Sequence, residues 1–326
     1  MNYVDLHLHL DGAITADIAR ELARIQGIDI PGSDEELNKL LTVPAGCTSL
    51  NDFLQCFAFP GSLLQTREGI AEAVYLVSEN IRQQGVIYAE FRFAPQYHTS
   101  QDLTQEDVIQ AALDGLKKCK LKVNLILCIM RGQGNEAANE ETLRLAKKYL
   151  VEDGGVVAID LAGAEALFPV EDYASYFTRA REWGIPYTIH AGEAAGADSV
   201  AGALELGTKR IGHGVRANED PAVLEQITRD GIFLEMCPTS NRQTCAIADM
   251  SQYPLVDYLR RGIRVTLNTD DMGIEGTTLA EEFRLMMDEY GLTESEARQL
   301  VLNGIEAAFT TDSVKQELRR TLQAEP

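Results

Sequence analysis

A (β/α)8 barrel of the TIM type is the fold class that the sequence predicts, and three observations lead there. Eight short apolar segments alternate with amphipathic helical stretches from Val4 onward. Four of the five histidines (His7, His9, His190 and His213) fall at the C-terminal ends of those segments. The first turn lacks the glycine-rich sequence that an open doubly wound sheet, the rival architecture, usually carries. Strict alternation of strand and helix implies parallel strands with helical crossovers. Eight such units close into a barrel of ~250 residues, and insertions account for the rest of the 326.

The first strand lies within residues 4–12, Val-Asp-Leu-His-Leu-His-Leu-Asp-Gly. Val4, Leu6, Leu8 and Leu10 alternate with Asp5, His7, His9 and Asp11, so the two imidazoles leave one face together while the other face is buried. Ile18, Leu22 and Ile25 place a helix over 14–25. A long connection then runs to Gly85, with turn signals at Pro31-Gly32 and Pro44-Ala45-Gly46. Within it, Leu50, Phe53, Leu54 and Phe57 have the spacing of an amphipathic helix, and Ile70, Val74, Val77 and Ile81 mark another that Gly85 stops. This insertion, about 27–84, is expected either to pack into the core or to form a lid over the catalytic end. Further strands are predicted at 86–93, 123–130, 156–161, 185–190, 210–213, 232–236 and 263–267. Helices are predicted at 104–116, 136–150, 170–183, 199–206, 221–229, 254–261 and 278–290. The helix at 104 opens on Thr-x-x-Asp, a capping-box pattern. C-terminal helices over 293–326 complete what reads as a single domain, 1–326.

Composition narrows the function classes. With 29 Lys and Arg against 50 Asp and Glu, the net charge is −21. Such a surface repels nucleic acid and anionic membranes. No apolar run approaches the ~20 residues of a membrane span, and polar residues interrupt the N-terminus where a signal peptide would be apolar. The six cysteines form no CxxC pair and read as reduced thiols, which suggests a cytoplasmic protein.

A barrel carries its active site at the C-terminal ends of its strands. Those ends here are His7-Leu-His9-Leu-Asp11, Glu90-Phe-Arg92, Arg131, Asp160-Leu-Ala-Gly163, His190-Ala-Gly-Glu193, Gly212-His213-Gly214, Glu235-Met-Cys237-Pro238 and Asn268-Thr-Asp270-Asp271. His7, His9 and His190 can supply neutral imidazoles and Asp270 a carboxylate to one Zn2+ per chain. An exchangeable position would hold a water acidified toward ~7. His98 falls outside the pattern and reads as a loop residue.

Six segments carry a resemblance: His-Leu-His-Leu-Asp-Gly (7–12), Asp-Leu-Ala-Gly-Ala-Glu (160–165), His-Ala-Gly-Glu (190–193), Ile-Gly-His-Gly (211–214), Cys-Pro-Thr-Ser-Asn (237–241) and Asn-Thr-Asp-Asp (268–271). In this order and spacing, the chain resembles the adenosine/AMP deaminase family of the metal-dependent amidohydrolase superfamily. The resemblance implies the same barrel and zinc-dependent deamination of adenosine and 2′-deoxyadenosine by water attack at purine C6. It implies zinc on His7, His9, His190 and Asp270. Glu193 would protonate N1, and His213 would orient or deprotonate the water. Asp271 would bond N7, Gly163 would hold N3 through its N–H, and Asp11, with the neighbourhood of His9, would hold the ribose. Glu193 can act as an acid near neutral pH only if burial or other acids raise its pKa. One of Asp271 and N7 must carry a proton for that bond, and the sequence does not say which.

Each residue also has a plainer reading. Glu193 can cap the following helix, His213 can be a satisfied core histidine, Asp11 can cap the helix at 14, and Gly163 can be a turn glycine. Arg92 and Arg131 read as structural, paired to acids such as Asp5 or Glu90. Glu235 reads as a partner that fixes His213, or as an acid with another partner, and Cys237 as a small core residue. Among activities, the missing lysine at the end of strand four argues for one metal. The chain lacks both H-x-E and P-C-x-x-C, which the Cys-ligated zinc deaminases need. No Lys/Arg cluster suits a nucleotide phosphate. Adenine deamination, or deamination of another adenosine-like nucleoside, is the runner-up, although Thr239 and Gln243-Thr244 resemble the nucleoside enzymes. A catalytically silent nucleoside- or partner-binding relative is the alternative from another class. It predicts the loss of Glu193 or a ligand, and none is lost.

Overall fold

A computed structural model of the chain describes residues 1–324. Strands β1 (Tyr3–His9), β2 (Val86–Phe93), β3 (Lys122–Met130) and β4 (Val156–Ala162) form one parallel ladder. Strands β5 (Thr188–Ala191), β6 (Arg210–His213), β7 (Phe233–Met236) and β8 (Arg264–Leu267) form a second. Single parallel bridges join the two into a barrel, Ile159 to Tyr187 at one seam and Leu8 to Asp270 at the other. At the second seam His9 N–H donates to Asp270 O (2.8 Å) and Asp270 N–H donates to His7 O (2.8 Å). Three candidate ligands are therefore tied together by backbone where the barrel closes.

The predicted strands are all present, those at 86–93 and 210–213 with the expected bounds and the others with shifted edges. β5 begins at Thr188 rather than at 185, because Pro186 has no N–H to give a ladder. The second-half strands are four residues each. His213 (φ +62°), the last residue of β6, and Asp270 (φ +71°), three residues beyond β8, take left-handed backbone, a conformation that costs a side-chain-bearing residue. The capping box at Thr104 and Asp107 forms as predicted. The stretch predicted as one amphipathic helix from Leu50 is instead broken into Leu50–Phe53, a 3-10 turn at Leu54–Phe57 and Ala58–Ser62. Pro60 lacks an N–H and would clash with the carbonyl four residues back in a continuous helix.

Leu6, Leu8, Leu125, Leu127, Ile159, Leu161, Ile189, Ile211, Leu234 and Val265 belong to the main buried apolar cluster shared with the helices. The other strand phase brings buried polar groups together: Asp5, Glu90, Arg92, Asp160, Arg210 and Glu235. Glu90 pairs with Arg210 (2.6 Å), whose guanidinium lies 4.0 Å over the Phe309 ring. Phe309 N–H donates to Glu90 (2.5 Å), and Phe309 packs against Ile126, Val157 and Ala158. The linker between the C-terminal helices Glu294–Ala307 and Asp312–Gln323 thus plugs the end of the barrel opposite the candidate site. Among the described residues no helix is long and apolar enough to cross a membrane.

Candidate active site

The imidazoles converge because β1 and β5 present them across the barrel mouth. His7 Nε2 lies 3.0 Å and His9 Nε2 3.4 Å from His190 Nε2. Asp270 Oδ1 lies 3.3 Å from both His7 Nε2 and His9 Nε2. The outer nitrogens of two of these rings meet carboxylates: His7 Nδ1 is 2.8 Å from Glu235 Oε2, and His190 Nδ1 is 2.8 Å from Asp160 Oδ2. A carboxylate accepts only, so each ring keeps its proton on Nδ1 and turns an Nε2 lone pair inward. Two lone pairs 3.0 Å apart repel unless a cation sits between them. Ligands at ~2.0–2.1 Å in a tetrahedron lie roughly 3.4 Å from one another, so the donor set fits one divalent ion. Glycine makes this crowding possible. A Cβ on Gly212 would stand 3.0 Å from His7 Cε1 and 3.2 Å from the His190 ring.

The supports of the rings are joined by one side chain. Arg92 donates to Asp160 (2.9 Å) and to Glu235 (2.7 Å), and so links the carboxylate behind His190 to the one behind His7. Arg210 (2.6 Å) and Thr188 (2.9 Å) complete Glu235. Burial opposes the charge on Glu235, but Arg210 and Arg92 outweigh it and hold this carboxyl well below its usual range. Burial likewise works against ionised Asp160, and His190 and Arg92 overcome it. These contacts correct three expectations. Arg92 pairs with Asp160 and Glu235, not with Asp5 or Glu90. Arg131 donates to the carbonyls of Phe168, Leu161 and His190 rather than pairing with either acid. Glu235 fixes His7, not His213.

His213 is held by Asn241, whose amide lies 3.0 Å from Nδ1. Tyr253 O–H in turn donates to Asn241 Oδ1 (2.9 Å). Asn241 belongs to the Cys-Pro-Thr-Ser-Asn segment, and that membership is the one signal in the sequence that could have found it. His213 Nε2 faces Asp270 Oδ2 (3.6 Å) and Glu193 Oε2 (3.5 Å). It also stands nearer the centre than the sequence suggests, since ligand-capable atoms of His7, His190, His213 and Asp270 all lie within 4.8 Å of one another.

Two adjoining cavities lead away from this cluster. The inner one, about 40 Å3, is lined by His9, Gly163, His190, Glu193, His213, Asp270 and Asp271, with Leu50, Phe53, Leu54 and Phe57 along one wall. That is room for little more than one water. The outer one, about 270 Å3, is lined by His9, Asp11, Tyr97, Arg131 and Gly163, again with Leu54 and Phe57. Eight of the nine sequence-predicted site residues therefore line these two cavities, His7 lies buried behind them in the histidine cluster, and the apolar stripe of the insertion walls both. Gly163 has φ +100°, which suits glycine, and an added Cβ would press on Met130 Cε at 3.2 Å. Sequence reasoning misses Tyr97 and reads His98 as a loop residue. His98 is itself buried at the end of a 3-10 turn, Pro95–His98, 4.0 Å from Asp11 Oδ2.

The acids divide by environment. Burial, then Asp270, then Glu165 push the Glu193 carboxyl well up. Burial, then Asp270 and Asp11 do the same to Asp271. Asp270 goes the other way, because His7 and His213 outweigh its burial. The neighbouring aspartates are thus pushed in opposite directions, Asp270 toward the charged form and Asp271 toward the protonated one. Gly12 lets Asp271 lie where it does, since a Cβ there would come within 1.7 Å of Asp271 Oδ1.

The family model described as adenosine deaminase matches residues 3–325. A protein named adenosine deaminase from Haemophilus ducreyi is 47% identical over 327 residues, covering 98% of this chain and 95% of the relative. One of the same name from Enterococcus faecalis is 36% identical, covering 98% and 95%. Among solved structures, an adenine deaminase from Arthrobacter aurescens is similar with a TM-score of 0.88 at 27% identity, covering 98% of each chain. An Arabidopsis N6-mAMP deaminase gives 0.86 at 26%, covering 100% and 98%. Barrel, site and sequence agree, and the chain belongs to the adenosine deaminase family.

Proposed function

We propose that the chain deaminates adenosine and 2′-deoxyadenosine at one zinc ion held by His7, His9, His190 and Asp270. The overall reaction is adenosine plus water to inosine plus ammonia. One observation carries the mechanism: the buried Glu193 carboxyl, whose pKa burial pushes well up, shares a small cavity with imidazole nitrogens arranged to hold a cation. When bound, the ion acidifies a water for attack at purine C6. Zinc suits a set of three imidazoles and one carboxylate.

The chain's own residues do the rest. Glu193 gives its proton to N1 as C6 loses aromaticity. The bond from Asn241 to Nδ1 leaves the proton of a neutral His213 on Nε2, which suits orienting the water oxygen rather than taking its proton. Asp271, as the proton holder, donates to N7, an acceptor. Gly163 meets N3 through its N–H, and Asp11 with His9 meets the ribose hydroxyls. One proton of the water makes good the one Glu193 gave, and the other leaves on the amine. Residues 27–84 serve as the lid, with Leu54 and Phe57 against the purine, so that catalytic core and lid form one unit. Six free cysteines suit a reducing, cytoplasmic setting.

The reading for nucleoside over free base is supported by the 47% and 36% relatives named adenosine deaminase, against 27% for the adenine deaminase. The test is the ultraviolet spectrum of protein with adenosine, 2′-deoxyadenosine, adenine and AMP in parallel. Conversion of the two nucleosides, stopped by a chelator and restored by zinc, is expected. Turnover of adenine alone would overturn the substrate, and no spectral change would overturn the activity.

A further inference from the structure

Glu165 is buried, and neither the metal cluster nor the purine contacts use it. Its two oxygens collect five donors. Oε1 accepts from Gly192 N–H (2.6 Å) and Ser199 O–H (2.6 Å). Oε2 accepts from the N–H groups of Glu193 (3.0 Å), Ala194 (2.6 Å) and Ala195 (3.1 Å). Four consecutive backbone N–H groups therefore point at one carboxylate. The carbonyl side of the same loop is held from the segment just after β6: Gly214 N–H donates to Ala191 O (2.9 Å), Arg216 N–H to Gly192 O (3.0 Å) and Arg216 Nη1 to Ala194 O (3.2 Å). Glu165 is itself anchored, because Arg131 donates to Phe168 O in its own loop and to His190 O at the end of β5.

We propose that Glu165 is a positioning residue for the proton donor: by binding the loop 192–195 through its backbone, it fixes where the Glu193 carboxyl stands relative to His213 and the purine. The proposal rests on the reading of Glu193 as the acid that serves N1. Only a carboxylate fits, since it alone among side chains of this length offers two acceptors and no donor. An amide would turn an NH2 group on N–H groups that have no other partner. The Glu193 N–H is itself one of the four, so the clamp acts directly on the residue that must deliver a proton at a fixed point. Misplacing a reacting group by about 1 Å costs ~10²-fold.

The experiment compares Glu165→Gln, Glu165→Asp and Ser199→Ala with the unaltered, metal-loaded protein. It reads kcat and KM for adenosine, the Kd of inosine, metal per chain, and backbone hydrogen exchange over 190–196. In Glu165→Gln, kcat is expected to fall ~100-fold while inosine Kd and KM stay within ~3-fold and metal content is unchanged. Exchange over 190–196 should quicken at least ~10-fold. Glu165→Asp, which keeps both acceptors, should recover part of kcat. Ser199→Ala, which removes one of five donors, should lower kcat ~3-fold. If Glu165→Gln fails to fold, the other two variants decide, and unchanged kcat in both overturns the proposal. A parallel loss of kcat, inosine binding and metal would also overturn it, in favour of a general scaffold role. If the unaltered protein does not turn over adenosine, the reading of the reaction fails. The clamp then stands or falls on exchange over 190–196, and unaltered exchange in Glu165→Gln refutes it.

Discussion

The two sides of the pocket are built on opposite electrostatic terms. On the metal side, the carboxylates behind the histidines are answered by buried cations: Glu235 by Arg92 and Arg210, Asp160 by Arg92. On the purine side, among the described residues, no Lys or Arg pairs with Asp11, Glu193 or Asp271, and Asp11 Oδ1 and Asp271 Oδ1 are buried without a hydrogen-bond partner. The same residue type is thus driven in two directions. Paired carboxylates stay charged and hold rings in place. Unpaired ones are pushed toward the protonated form, the form that the roles proposed for Glu193 and Asp271 require. One side is satisfied by the chain itself, and the other has polar groups left over for a ligand.

If that contrast is right, substitutions on the purine side should cost turnover and spare the fold, while those on the metal side should cost the fold. Glu193→Gln should lose ~10²–10⁴ in kcat while keeping one metal per chain and its unfolding midpoint. A variant of near-normal activity would refute the proton-donor role. Arg92→Met should cost about 3–5 kcal/mol of stability by leaving Asp160 and Glu235 buried with lost partners, seen as a lowered urea midpoint and weaker metal retention. An unchanged midpoint would remove the distinction between the two sides.

A third prediction concerns a carboxyl behind the purine side. Glu282 accepts from Thr239 N–H (3.2 Å) and Thr277 O–H (2.7 Å), and burial pushes it up to about 7 against these bonds and the weaker pull of Arg242. Its folded pKa lies above the ordinary value of 4.5, so the folded state binds the extra proton between those limits. Its contribution is complete below about pH 4.5 and is lost as pH rises through about 7. Glu282→Gln should therefore flatten stability between pH 5 and 8 by about 1–3 kcal/mol, measured by urea titration at each pH. A slope unchanged by the substitution would show that Glu282 stays ionised. Smallest of all, Asp11→Ala should lower kcat/KM for adenosine ~10-fold, as the loss of one hydrogen bond predicts, with no loss of stability. An equal effect on adenine would mean that Asp11 does not read the sugar.

Much of the fold and of the site is legible in the chain's own patterns. The period-two alternation of residues 4–11 puts His7 and His9 on one face, and alternation of strand and helix puts His190, His213 and Asp270 at the same end of the barrel. The rest is hidden for identifiable reasons. Asn241 and Glu165 sit in segments whose other residues line or adjoin the pocket, and nothing in their spacing says that one holds His213 and the other the loop of Glu193. Pro60 is plain in the sequence, but an apolar stripe with helical spacing outweighs it.

The sequence by itself determined which residues share a face and which end of each strand carries chemistry, because the strand period and the βα repeat are local properties of the chain. Only the tertiary structure decided who supports whom. Glu235 meets His7 across 228 positions, and Arg92 meets Glu235 across 143. Such pairs are made by barrel closure, and no local pattern encodes them. The opposite pKa shifts of Asp270 and Asp271 belong with them: two adjacent aspartates are alike in sequence, and they are pushed apart because one faces His7 and His213 while burial, Asp270 and Asp11 act on the other.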